Sequence, residues 1–193
     1  MPGSVFLSDD RVSLHPIETD DEAFCRALLN EPRVRTSIGS TDPITAHDER
    51  EWIESQGERD GWHFLVCERP DAGTDGADDA DAVRLGTIGV TPTNDVWGTA
   101  EIGYSIHPDH WNEGHATAAV ELVCRYAFDE RRLAKLFAKT YATNPASGRV
   151  LEKNGFEREG TLREEAFVAG ERVDVVRYGL LAGAWREQGG QSD

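Results

Sequence analysis

The chain has 193 residues, with 36 Asp and Glu against 20 Lys and Arg, giving a formal net charge of −16. That balance excludes nucleic acid as a partner, because binding it needs clustered positive charge to displace counterions. The hydrophobic share is 38%, and no apolar run approaches the roughly 20 residues of a membrane-spanning helix, which excludes a helical membrane protein.

The length suits one domain, so residues 1–193 are read as a single domain with an acidic hairpin insertion at about 70–82. The first ten residues lack a basic start and a long apolar core, so no signal peptide is read there and a cytoplasmic address is expected. Only Lys135, Lys139 and Lys153 are lysines, the other basic residues being arginines. This acid-rich, lysine-poor pattern resembles proteins of salt-loving organisms, whose cytoplasm screens the self-repulsion of such a charge. Three cysteines cannot all pair within the chain and form no Cys-x-x-Cys spacing; Cys25, Cys67 and Cys124 are expected as buried thiols.

Val12 to Ile17 reads as a first strand, halted at Thr19-Asp20-Asp21, where Thr19 or Asp20 can cap a helix. That helix carries Ala23, Phe24, Ala27 and Leu28 on one face and ends near Asn30-Glu31-Pro32. A second is predicted from about Ala46 to Gln56, with Trp52 and Ile53 apolar and acids facing outward. Trp62 to Glu68 and Arg84 to Val90 read as strands. Between them, Pro70 to Asp81 lacks the alternating ligands and closing glutamate of an EF-hand loop and is read as solvated. A turn-rich link from Thr91 to Thr99 leads to Ala100 to Ile106, the fourth strand of a meander.

Trp111-Asn112-Glu113-Gly114-His115-Ala116-Thr117 follows, and Ala116, Ala119, Val120, Val123 and Ala127 then recur at helical steps, predicting a helix from about Gly114 to Asp129. A strand, a small-residue turn and a helix in that order gather unpartnered N–H groups and the positive end of a helix dipole around an anion. The turn is read as a phosphate-binding loop. No Gly-Lys-Ser/Thr follows it, which argues against a nucleotide-binding P-loop. Leu133 to Tyr141 is a fifth strand, parallel to the fourth through a right-handed crossover. Asn144-Pro145 opens a short helix that Asn154-Gly155 closes. Glu164 to Val168 and Val173 to Leu181 form a final hairpin around Gly170. His107, His110 and His115 surround the loop and are read as phosphate or adenine contacts, or as no contact, with no metal ligand assigned.

Five pieces carry a resemblance in order and spacing. They are Ala-Glu-Ile-Gly-Tyr at 100–104, Trp-x-x-Gly-x-Ala-Thr at 111–117, Asn-x-x-Ser at 144–147, Leu-Glu-Lys-Asn-Gly-Phe at 151–156 and a C-terminal strand ending in Trp185. Together they resemble the GCN5-related N-acetyltransferases (GNAT), and within them the RimJ/RimL-type branch that acetylates ribosomal-protein N-termini. The resemblance covers nearly the whole chain. It implies an α/β (α+β) GNAT fold, a single mixed, mostly antiparallel sheet of about seven strands with a splayed parallel pair at the cofactor site, flanked by helices.

It also implies acetyl-CoA as donor, an amine as acceptor and no metal. Asn112, Glu113, Gly114, His115, Ala116 and Thr117 would hold the CoA pyrophosphate, and Ser105, Ile106 and His107 would pair with pantetheine, which Asn144 and Ser147 would also touch. A backbone N–H at the Gly103 to Ile106 bend would polarise the thioester carbonyl, an effect worth on the order of 3 kcal/mol. Glu101 is the expected general base, directly or through water, with Glu165 or a water chain left open as alternatives, and Ser147 the expected acid for the departing thiolate.

Three positions depart from the family pattern: Leu151 replaces a tyrosine acid, Ala166 replaces a glutamate proposed in RimL-like proteins with Glu164 and Glu165 just before it, and Trp111 replaces a basic residue or Gln. The expected activity is acetylation of a primary amine, foremost a protein N-terminal amine, ribosomal or other. A small-molecule amine acetyltransferase and a non-catalytic acyl-CoA sensor are the alternatives. Asp42, Asp48, Glu49 and Glu51 are candidates for drawing in a cationic amine. Monomer and homodimer both stay open.

Overall fold

Eight strands form one sheet in the computed structural model, which describes residues 2–57, 61–69 and 82–189. They are β1 (Leu7–Ser8), β2 (Val12–Pro16), β3 (Trp62–Glu68), β4 (Arg84–Asn94), β5 (Thr99–Ile106), β6 (Lys135–Tyr141), β7 (Glu157–Val168) and β8 (Glu171–Leu181). Their spatial order is β1-β2-β3-β4-β5-β6-β8-β7. Every neighbouring pair is antiparallel except β5 and β6, which run parallel as the crossover rule requires. The sheet exceeds the expected seven strands because β1 pairs only Leu7 with Leu14 and Ser8 with Ser13, too short a run to show a period of two. The insertion expected at about 70–82 lies almost entirely outside the described residues.

Six α-helices flank the sheet among the described residues: α1 (Glu22–Asn30), α2 (Pro32–Ile38), α3 (Ala46–Glu54), α4 (His115–Arg125), α5 (Pro145–Lys153) and α6 (Ala182–Glu187). The sequence reading took Pro32 as a stop and so missed α2. Pro32 in fact opens that helix, since its fixed φ suits the first turn and its missing N–H is no loss there. The Glu31 side chain accepts from Arg33 N–H at one end, and Gly39, at φ 69°, ends the helix at the other. α3 starts on a reciprocal Thr45–Asp48 capping box. α4 widens into a π turn over Tyr126–Glu130, which seats Phe128 in the core.

Alternation along the strands divides the interior in two. Val12, Leu14, Val66, Ile88, Ile102 and Leu136 pack beneath α4, against Val120, Val123 and Phe128. On the other face Leu65 and Cys67 pack with Ile17, Cys25 and Ile53 beneath α1 and α3. Cys25, Cys67 and Cys124 are all buried, as expected. Burial, with Glu49 and Asp21 nearby, pushes the Cys25 thiol up to about 12, and burial raises that of Cys124 as well.

These groups keep their protons in the folded state at pH values where the unfolded chain has lost them. Stability is therefore unaffected below about pH 9 and falls as pH rises towards about 12. A thermal melt series from pH 8 to 11 should show Tm falling only above about pH 9, with no thiol labelled rapidly by a disulfide reagent in the native protein at pH 8. Fast native-state labelling would contradict the burial.

The feature that positions the site is a splay. β5 and β6 pair only at Thr99–Lys135, Ala100–Leu136 and Glu101–Phe137. Beyond this, β6 stays paired with β8 as far as Tyr141, and β5 stays paired with β4 as far as Ile106. The β5 edge from Ile102 to Ile106 therefore faces an opening instead of a neighbouring strand.

Candidate active site

The loop after β5 is built by backbone conformations that side chains rarely adopt. Asn112 has φ 67° and Gly114 φ 90°, both left-handed. Successive turns of this kind aim N–H groups at one point, immediately before α4, whose own first N–H groups have no partners within the helix. Trp111 braces the loop, its indole N–H donating to the Ile106 carbonyl at 2.7 Å. Arg33 of α2 lies 5.8 Å over the same ring. The residue standing where the family commonly carries a basic group is thus a strut between β5 and α2.

Sequence reasoning missed Arg11, which lies about 100 residues upstream in the β1–β2 turn. The Asp9 side chain accepts from Arg11 N–H at 2.8 Å and Val12 N–H at 2.7 Å, fixing that turn. A Cβ added to Gly114 would stand 3.1 Å from Arg11 Nη1, so the guanidinium lies against the loop. Arg149 and Lys153 of α5 line the same cavity. In a chain of net charge −16, these three cations on one cavity wall give it a local positive potential that favours an anion.

A cavity of about 1250 Å³ runs from the loop along the free β5 edge to the space under α1, α2 and α3. Its wall includes Glu101, Ser105, Ile106, Asn112, Glu113, Gly114, His115, Ala116, Thr117, Asn144 and Ser147, so the fold gathers nearly all the expected site residues. His107 is the exception. Its Nδ1 accepts from Asp109 N–H at 3.4 Å, capping the turn that follows β5. His115 is buried, with Nε2 3.0 Å from Glu113 Oε2, while His110 Nδ1 lies 3.7 Å from the same carboxylate oxygen. The His115 Nδ1 atom is buried and has no hydrogen-bond partner among the described residues.

At the other end of the β5 edge, the Asn144 side chain accepts from Ser147 N–H at 3.2 Å, capping α5. The Ser147 hydroxyl lies 2.9 Å from the Tyr104 hydroxyl, which also reaches the Ser147 carbonyl at 3.1 Å. Burial pushes the Tyr104 hydroxyl up to about 12, so it stays protonated at every working pH. Tyr104 was read only as part of a strand. The signal that could have found it is a hydroxyl on the same face as the buried Ile102 and Ile106. Leu151, at the family's tyrosine position, is core.

Glu101, the last residue of β5 paired to β6, is 3.2 Å from Lys139 Nζ. In β7 the register slips between Leu162 and Ala166, leaving three residues opposite Asp174; Glu164 takes φ 52° and donates its N–H to the Asp174 side chain at 2.8 Å. This bulge brings both Glu165 and Ala166 to the cavity wall. The four acids expected to draw in a cation do not line it. Asp48 is committed to the α3 cap, and Glu49 is buried, its carboxyl raised by desolvation. The residues that α1, α2 and α3 present to the cavity are Leu29, Val34, Ser37, Ile38 and Trp52.

A glycine-bearing loop at a helix N-terminus, a strand edge without a neighbour and a hydroxyl pair thus open on one cavity. Residues 11–157 match the acetyltransferase (GNAT) domain, and the chain belongs to that family, with acetyl-CoA as its donor. The uncharacterized N-acetyltransferase YoaA of Bacillus subtilis is 36% identical over 97 residues, 50% of this chain and 55% of YoaA, so that match spans about half of each protein. A spermidine N(1)-acetyltransferase of Vibrio cholerae is 26% identical over 175 residues, covering 90% of this chain and 94% of its own. The crystal structure of spermidine N-acetyltransferase from Vibrio cholerae in complex with CoA and spermine superposes with a TM-score of 0.81 at 21% identity, covering 92% of this chain and 99% of that one, and shares the fold.

The residues present fit the donor. Gly114 leaves the backbone open at the loop, Arg11 adds charge, and the orphaned His115 Nδ1 is a buried polar atom awaiting a partner. Bound there, acetyl-CoA would supply the thioester whose acyl carbon is transferred.

Proposed function

We propose that this N-acetyltransferase acts on the α-amine of a protein or peptide, in the manner of the RimJ/RimL branch. One observation carries the reading: the acceptor half of the cavity is walled by Leu29, Val34, Ile38 and Trp52, while Glu101 there is paired with the Lys139 ammonium, which leaves Glu165 as the other carboxylate of that wall. A polyamine presents a cation every few atoms and needs unpaired carboxylates along its length. A peptide N-terminus presents one amine followed by an uncharged backbone and side chains that an apolar wall can hold. Glu101 would draw the ammonium to the β5 edge, and an N–H of the Gly103 to Ile106 bend would stabilise the oxyanion. The Ser147–Tyr104 pair would protonate the leaving sulfur, which supports turnover over passive binding of the donor. Acylation of a small amine is the second reading, favoured by the whole-length similarity to the Vibrio cholerae spermidine enzyme.

We infer further that the protein works in a salt-rich cytoplasm, on the strength of its 36 acidic and 20 basic residues. The test follows free thiol and product mass in molar KCl with acetyl-CoA, a panel of N-terminal peptides and spermidine. A peptide should be acetylated with kcat/KM at least about tenfold above that of spermidine, a discrimination of about 1.4 kcal/mol. Preference for spermidine would overturn the peptide reading, and an unchanged melting curve in dilute buffer would overturn the salt reading.

A further inference from the structure

The acceptor half of the cavity contains a histidine to which the sequence reading gave no role. His63 on β3 pairs directly with Gly89 on β4, and Gly89 pairs directly with Gly103 on β5. Residues in one cross-strand row point to one face of a sheet, so the His63 side chain shares a face with the bend expected to hold the acetyl carbonyl. The two glycines clear that row. A Cβ at Gly89 would stand 3.0 Å from His63 Nε2, so the imidazole leans across β4 through space that any other residue would fill. At Gly103 no atom lies within 4 Å of the Cβ position. From above Gly89, the β5 backbone is one strand spacing away, about 4.8 Å. The ring is held from the other side by Trp52 of α3, edge-to-face at 5.2 Å between centroids. His63, Gly89 and Gly103 all line the cavity.

We propose that His63 is the proton acceptor of the transfer, receiving the amine proton at Nε2 directly or through one water. Among the described residues, the charged groups lining the same half of the cavity are Glu101 and Lys139, which are paired with each other, and Glu165 on the β7 bulge. Glu101 is therefore placed to attract the ammonium, and His63 to relieve it of a proton. Two protons leave the nitrogen as the N–C bond forms and the C–S bond breaks. One passes through His63 to bulk water; the Ser147–Tyr104 hydroxyls give a proton to the sulfur, and the second amine proton replaces it on the hydroxyl pair. No oxidant or further reactant is required. The assignment rests on transfer to a primary amine and not on which amine it is.

The test uses glycinamide, a small α-amine with a pKa near 8, so that a wrong choice of natural acceptor cannot obscure the result. His63→Gln keeps the ring's volume against Trp52 but cannot take a proton. It should lower kcat about a hundredfold, leave the Kd for CoA by calorimetry within about twofold, and abolish an acid limb of the kcat/KM profile that Glu101→Gln retains. A second readout needs no turnover: the His63 Cε1–H NMR resonance should move when glycinamide is added to the CoA-bound protein. Turnover of His63→Gln within about threefold of wild type with its acid limb intact, or an unmoved resonance, overturns the proposal. A switch of natural acceptor from peptide to polyamine would leave it standing.

Discussion

Gly114→Val is expected to raise the Kd for CoA at least about a hundredfold, a loss near 3 kcal/mol at 1.4 kcal/mol per tenfold. Two costs add at this one position. Gly114 has φ 90°, where a β-branched residue is strained by roughly 1–3 kcal/mol. The loop can relieve that strain only by turning its backbone, and turning the backbone takes the N–H groups off the phosphate. In addition, the Cβ would enter space 3.1 Å from Arg11 Nη1, and its methyls would displace the one guanidinium that leans on the loop. Arg11→Ala, which removes charge without touching the backbone, should fall between the two. Calorimetric titration with CoA in molar KCl reads the effect, and a thermal melt establishes that the variant folds, since α4 keeps its buried face on the sheet whatever the loop does. A folded Gly114→Val protein with a Kd within about threefold of wild type would refute the phosphate-loop assignment.

That glycine was legible in the sequence because a backbone requirement leaves a residue-type signature: a small residue between an alternating strand and a helical repeat. The same holds for the β5–β6 crossover and the Asn144 cap, each fixed by local chemistry. Arg11 and His63 were not legible, for a different reason. Arg11 meets Gly114 only after β2 is laid beside β3. His63 gains its meaning from the register His63–Gly89–Gly103, set by two hairpins whose joining segments carry no statement of which residues face each other. α2 is not legible because the breaking and starting tendencies of Pro32 differ only in the position it occupies. The acids of the N-terminal half misled because composition counts charges without saying which are spent on caps, as Asp48 is. The turn that the His107 imidazole caps is likewise not announced by its nearness in sequence to the loop.

Ser147→Ala and Tyr104→Phe should each lower kcat at least about tenfold, with the Kd for CoA within about twofold, and the double variant should be barely worse than either alone. On the proposed mechanism the two hydroxyls, 2.9 Å apart, would form one donor chain to the leaving sulfur, and cutting a chain at either link removes the same function. Independent roles would instead multiply to at least about a hundredfold. Structural damage is separable: Tyr104 is packed beside the core while Ser147 caps nothing with its Oγ, so a purely structural effect would lower the Tm of Tyr104→Phe alone. The pH dependence gives a further constraint. The proposed donor is the neutral phenol, and because burial lifts its pKa to about 12, it would donate fully below that value and lose the capacity only as pH rises through it. Between pH 8 and 10 the wild-type kcat should therefore show no falling limb from this pair. A falling limb in that window that disappears in Tyr104→Phe would mean that the phenol ionises inside the working range. The donor chain would then end at Ser147, with Tyr104 as its support.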